Sequence, residues 1–228
     1  MTELFDNLRD NYEDEICRAM RGVPGEHAFF IRAKAKKIEA LAVRVRSDSS
    51  RLRLLDIGCG AVLVEKFLRI PNADISGLDV SEQLLEKARE NAPGCRFTHF
   101  DGQNIDDEDN SYHLVFAINV FHNITIKNRM QLLMEMRRVL QPDGILALLE
   151  HNPWHPIVRF VVSRCSFDSD AVLLSQSNAC SLLLTAGLHS IDSSYMIFLP
   201  WSIGINHVLE RAFGWLPLGV QYFATGIK

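Results

Sequence analysis

A chain of 228 residues with 47% hydrophobic content is long enough to bury one full core and short for two. A formal charge of −4 argues against a dominant nucleic-acid footprint, and no apolar run reaches the roughly 18 residues that a membrane span requires. Five cysteines at 17, 59, 95, 165 and 180, without C-x-x-C spacing, and an acidic N-terminal stretch without a signal-like apolar core point to free thiols and a cytoplasmic location.

At the start of the chain, Leu4, Leu8, Tyr12, Ile16 and Met20 recur every four residues, which predicts a helix over residues 3–20. The G-V-P-G run at 22–25 breaks it. A second helix is expected over 26–46, with Phe29, Phe30, Ala33, Ile38, Leu41 and Val45 as its apolar set and Lys34, Lys36 and Lys37 as its solvated face, a phosphate-binding role being the alternative for these lysines. Residues 47–50 then link this N-terminal helical unit, 1–50, to a larger domain over 51–228.

The domain opens on R-L-R-L-L-D-I-G-C-G-A, residues 51–61. Leu52, Leu54, Leu55 and Ile57 are apolar on both faces, as a buried parallel strand requires. Gly58 and Gly60 allow a tight turn and bring bare backbone up to a ligand. A helix is expected next, offering its free N–H groups to an anion. The third glycine of G-x-G-x-x-G is absent, and there is no G-x-x-x-x-G-K-[ST] phosphate loop.

Strands are expected at 75–79, ending in Asp79 where a ribose-binding carboxylate belongs, at 95–100 before Asp101-Gly102, and at 114–119 before Val120-Phe121-His122. Asp79 also stands where it could cap the next helix, but Ser81 is the better cap. A helix over 131–140 turns at Q-P-D-G into a fifth strand, 145–150. Beyond it, Glu150-His151-Asn152-Pro153-Trp154-His155-Pro156 gathers an acid, an amide and two histidines at a strand's carboxyl end. A histidine suits deprotonation near neutral pH, so His122, His151 and His155 are the candidate bases. Arg159 and Arg164 are candidates for an anionic acceptor group or for surface pairing with Asp168 or Asp170. A helix over 175–186 closed by Gly187, a strand over 189–200, a helical insertion over 201–215 and a last strand over 219–228 complete the chain. Residues 151–228 carry only four acids and four Lys/Arg among many large apolar side chains, including Trp201, Ile203, Val208, Leu209, Phe213 and Trp215. Such a surface packs on the core, forms a homodimer contact or receives an apolar acceptor.

Taken in order, D-x-G-x-G, G-x-D, F-D-G and N-V-F-H over about residues 50–150 resemble the class I S-adenosylmethionine (SAM) dependent methyltransferases. The E-H-N-P-x-x-P and C-x-F-D-x-D-A-V-L-L stretches resemble a bacterial small-molecule branch of them. The resemblance implies a Rossmann-like α/β fold: a seven-stranded, mostly parallel sheet with an antiparallel last strand, helices on both faces and residues 1–50 as a lid. Tyr12 and Phe30 would then reach substrate or cofactor. SAM would be the cofactor and S-adenosylhomocysteine (SAH) its product. Asp56 would hold the methionine ammonium, backbone at Gly58, Cys59, Gly60 and Ala61 its carboxylate, Asp79 and Val80 the ribose, Asp101 and Gly102 the adenine, and Asn119 and Val120 the methionine end. Val62 departs from the family's usual third glycine. The acceptor would be a small molecule methylated on oxygen, nitrogen or carbon, with no metal and no nucleic acid involved. A SAM-binding enzyme of non-methyl chemistry and a non-catalytic partner subunit are the alternatives.

Overall fold

Alternation of apolar residues along two central strands builds both faces of the molecule. The computed structural model describes residues 12–45, 51–168, 170–199 and 203–228, with side chains at all but 12, 13, 167 and 203. On β1 (Leu52–Ile57) and β4 (Tyr112–Ile118), Leu55, Ile57, Val115 and Ala117 pack toward one face, and Leu54, Leu114 and Phe116 toward the other. These strands join β2 (Ala73–Asp79), β3 (Arg96–His99), β5 (Leu140–His151), β6 (His189–Met196) and β7 (Gln221–Ile227) in one sheet of order β3-β2-β1-β4-β5-β7-β6. The pairings from β3 to β5 are parallel, whereas β7 runs antiparallel to both β5 and β6. The expected seven-stranded sheet with its antiparallel last strand is present.

Helices cover both faces. Leu132, Leu133 and Met136 of α4 (Ile126–Val139) and Ala179 and Leu183 of α6 (Gln176–Thr185) pack on the first face. Ile31, Ala35, Ile38 and Leu41 of α2 (His27–Arg44) pack on the second. The remaining helices are α1 (Tyr12–Ala19), α3 (Glu82–Asn91), α5 (Pro156–Val162) and α7 (Ile203–Phe213). The Ser81 hydroxyl accepts from Leu84 N, so the expected capping of α3 is seen. The predicted helix over 3–20 is described only from Tyr12, and residues 47–50 lie outside the described residues. Among the described residues no helix is long and apolar enough to cross a membrane.

Three expectations need correction. First, no α-helix follows Gly60. The connection to β2 is a turn with one 3-10 turn, Glu65–Phe67, and α2 packs against it. Val62 stands at φ 60°, a left-handed conformation that a right-handed helix cannot include and that strains a β-branched residue by roughly 1–2 kcal/mol. The helix N-terminus expected to receive an anion is therefore not there. Second, Lys34 is not on a solvated face: it is buried, with only 9% of its surface exposed, on the same side of α2 as Ile31, Ala35 and Ile38. Lys37 lies over the Phe223 ring, 3.1 Å from its centroid. Third, the Q-P-D-G turn lies inside the extended segment of β5, with Asp143 at φ 61°.

Candidate active site

The carboxyl ends of β1, β2, β4 and β5 surround a cavity of about 620 Å³, the location expected for ligands in open α/β sheets. α1 and the first half of α2 wall it on one side through Ile16, Met20, Phe30 and Lys34, while Ile38 and Leu41, in the second half of α2, belong to the core. The N-terminal segment is thus both wall and core. Phe30 lines the cavity; the side chain of Tyr12 lies outside the described ones. Of the residues proposed from sequence, Asp56, Gly58, Cys59, Gly60, Asp79, Val80, Asp101, Gly102, Asn119, Val120, His122, His151 and His155 border this cavity, whereas Ala61, Arg159 and Arg164 do not.

One half is built on the glycine turn. Gly58 N and Cys59 N donate to Leu78 O at 2.7 and 3.1 Å, and Gly60 N donates to Asp79 Oδ2 at 2.8 Å. Three of the four N–H groups expected to receive a carboxylate are therefore committed within the turn, leaving Ala61 N. Gly58 is required here: a Cβ on it would meet Val120 Cγ2 at 2.5 Å. At Gly60 a Cβ would meet nothing within 4 Å, so this backbone stands open. Cys59 is buried against Gly77, and burial, with the charge of Asp79 second, pushes its thiol well up, which fits a space-filler.

Asp79 Oδ1 accepts from Ser81 N at 2.9 Å, so each of its oxygens is fixed by a backbone donor. Burial raises its pKa while the N–H groups of Ser81 and Gly60 oppose that rise. Asp101 accepts from Gln103 N, Asn104 N and Asn104 Nδ2 at 2.6–2.7 Å, and these bonds hold its carboxyl below the usual range. The third acid is different. Asp56 Oδ1 and both carboxylate oxygens of Glu65 are buried with no hydrogen-bond partner. Burial, then the charge of Glu65, raises the Asp56 pKa well above its ordinary value and so disfavours its charged form.

The other half is fully paired. His122, 2% exposed, places Nδ1 2.7 Å from Glu150 Oε2 and Nε2 3.3 Å from Asp168 Oδ1. Glu150 Oε1 accepts from Val120 N and Phe121 N at 2.9 and 2.7 Å, and Asn123 Nδ2 donates to Asp168 at 3.1 Å. Burial alone would lower the His122 pKa, but the two carboxylates overcome it and hold the ring at about 9, an imidazolium donating from both nitrogens. Glu150 and Asp168 are correspondingly depressed: burial raises them and His122 outweighs it. His151 lies beside this pair, its ring centroid 5.4 Å from that of His122. Burial, then the charges of His122 and Lys34, lowers His151 to about 3, so it is neutral, and its Nδ1 has no partner. Burial also lowers His155, at the N-terminus of α5, and its Nδ1 is likewise unpartnered. Asn119, at φ 57°, accepts from Gln221 Nε2 at 3.3 Å, and Gln221 Oε1 is left unpaired.

This geometry agrees with what the chain is similar to. Residues 54–144 match the family described as methyltransferase domain. The demethylmenaquinone methyltransferase of Thermotoga maritima is 30% identical over 153 residues, 66% of this chain and 61% of that one. A ubiquinone/menaquinone biosynthesis C-methyltransferase of Campylobacter jejuni is 32% identical over 106 residues, 43% and 44% of the two chains. Among solved structures, a SAM-dependent methyltransferase of Thermotoga maritima, described as a possible histamine N-methyltransferase, shares the fold over the full length of both chains with a TM-score of 0.67 at 18% identity. Over residues 54–144 the chain is similar to methyltransferase domains, on a fold it shares with solved methyltransferases. It spans about half the length of the curated relatives it matches.

Four residues of the cavity are not among the site residues expected from sequence. Lys34 was legible, because the 31–35–38 spacing of α2 places it on the apolar side. Glu65 and Gln221 had no signal beyond following apolar runs. Asp168 was considered only as a partner for Arg159 or Arg164. In the structure it serves His122, while Arg164 bonds Arg21 O and lies over the Phe160 ring, 4.9 Å from its centroid. The three-histidine set also separates in a way that spacing does not reveal: one charged and clamped, two neutral.

Proposed function

We propose that this chain binds SAM and transfers its methyl group to a small, largely apolar acceptor. The observation that carries the reading is the buried, unpartnered Asp56–Glu65 carboxylate pair beside the open backbone of Gly60, in the same cavity as Asp79. An unpaired buried carboxyl is costly, and a ligand ammonium would offset that cost. Asp79, a fixed carboxylate at the end of β2, suits a pair of ribose hydroxyls, and Asp101 suits an exocyclic amine. SAM supplies an electrophilic methyl on a sulfonium; an acceptor atom forms the new bond to that methyl as the S–CH3 bond breaks, and the electron pair leaves with SAH.

The remaining work falls to the chain's own residues. Val120 and Asn119 end β4 against the turn, and Phe30, Ile157 and Val158 offer an apolar wall that aligns an acceptor and excludes water. His122 is held as a cation and positions the 119–123 turn through Glu150. Of the two neutral rings, His155 is the better placed to take a proton where the acceptor carries one, because burial and the charges of His122 and Lys34 oppose protonation of His151. A quinone-like ring, the acceptor class in the names of the relatives above, has the size and polarity for this wall. Cytoplasmic location and self-association through the exposed Val208, Phe213 and Trp215 belong to the same proposal. The test is to supply SAM with a panel of hydroquinones, phenols and aromatic acids, and to follow SAH by mass spectrometry. SAH with an equimolar product 14 mass units heavier supports methyl transfer; turnover of an acceptor without SAH would assign the non-methyl chemistry instead.

A further inference from the structure

Cofactor binding leaves Lys34 unexplained. Its side chain is buried in an apolar helix face, yet it lines the cavity and makes no hydrogen bond or ion pair among the described residues. The nearest acid acting on it, Glu150, offers no free partner: one oxygen takes the Val120 and Phe121 N–H groups and the other the His122 ring. The Lys34 side chain borders the cavity with no acceptor of the described residues paired to its ammonium, and a ligand oxygen there would supply one. The surrounding charge also fits. Glu150 and Asp168 carry two negative charges, and His122 and Lys34 carry two positive ones, so this end of the cavity is neutral before any ligand arrives. A sulfonium donor then adds a positive charge that an acceptor anion would balance.

We infer that Lys34 anchors an anionic oxygen of the acceptor, so that the substrate is a small, mostly apolar molecule bearing one carboxylate, enolate or phenolate. Lys34 sits one turn after Phe30 and Ile31, which line the cavity, and one turn before Ile38, which is in the core. Its ammonium is thereby tethered by packed residues on both sides, and the apolar body of the ligand would lie against Phe30 and Ile31. The inference rests on the proposed methyl transfer for the role of the acceptor, but not for the anchor itself.

The experiment separates the two. Calorimetry compares 1-naphthylacetate with its neutral isostere 1-naphthylacetamide, on the full chain with and without saturating SAH. Wild type is expected to bind the acid at least tenfold more tightly than the amide. Lys34→Met should erase that preference by weakening the acid alone, and Lys34→Arg should keep it. Should Lys34→Met lose its cooperative melt, Lys34→Gln is read in the same way. Equal affinities in the wild type, no binding of the acid, or a parallel loss of acid and amide in the variant would overturn the anchor. Failure to bind SAH, with the acid preference intact, would overturn the cofactor reading and leave the anchor standing.

Discussion

The two halves of the cavity hold the same chemistry in opposite states. At the end of β5, Glu150 meets two backbone N–H groups and an imidazolium, and Asp168 closes the other side of the ring. At the end of β1, Asp56 and Glu65 are as deeply buried and have unpartnered oxygens. The first group of acids is satisfied by the fold and serves to hold the 119–123 turn. The second has no such cation or fully paired oxygens: Asp56 and Glu65 face each other, which favours a proton on Asp56 until a countercharge comes. Buried acids at the edge of one sheet therefore divide into those that build the site and those that wait for its ligand.

Removing each kind should sharpen this contrast most. Glu150→Ala strands the N–H groups of Val120 and Phe121 and half of the His122 clamp, and should cost roughly 3–5 kcal/mol in a denaturant titration. Asp56→Asn removes an acid that already favours its neutral form, and should stay within about 1 kcal/mol of wild type. Comparable losses in both variants would break the comparison.

A smaller effect is expected from pH. The His122 pKa is raised, so its contribution is fully present below the unfolded value near 6.5 and is lost as pH climbs through about 9. Glu150 and Asp168 are depressed, and their contribution is present above their ordinary values and lost as pH falls below them. The melting temperature should therefore decline between about pH 6.5 and 9, and His122→Gln should flatten that decline. An unchanged slope in the variant would remove the charged clamp from the description.

The same division explains what sequence could show. The places of the strands follow from apolar runs punctuated by Gly and Asp, the antiparallel β7 from the resemblance to class I methyltransferases, and Asp79, Asp101 and Asn119 sit at strand ends that periodicity locates to within a residue or two. The helix expected after Gly60 failed because Val62 adopts φ 60°, a property of the folded turn that no propensity reports. His122 could be found by its place after β4. Its clamped, charged state could not, because Asp168 reaches it from 46 residues away. Pairing across that distance is a product of topology, whereas Lys34 was misread although its helical spacing was in plain sight.

The central claim is that the unsatisfied half is a SAM site, and calorimetric titration of SAM and SAH tests it most directly. It should be run on wild type and Asp79→Ala, in two buffers of different ionisation enthalpy. Micromolar binding by wild type, roughly −8 kcal/mol, is expected, with at least tenfold weaker binding by the variant and release of protons as the ligand ammonium displaces the one favoured on Asp56. Absence of binding to wild type, or binding that neither Asp79→Ala nor the choice of buffer changes, would contradict it.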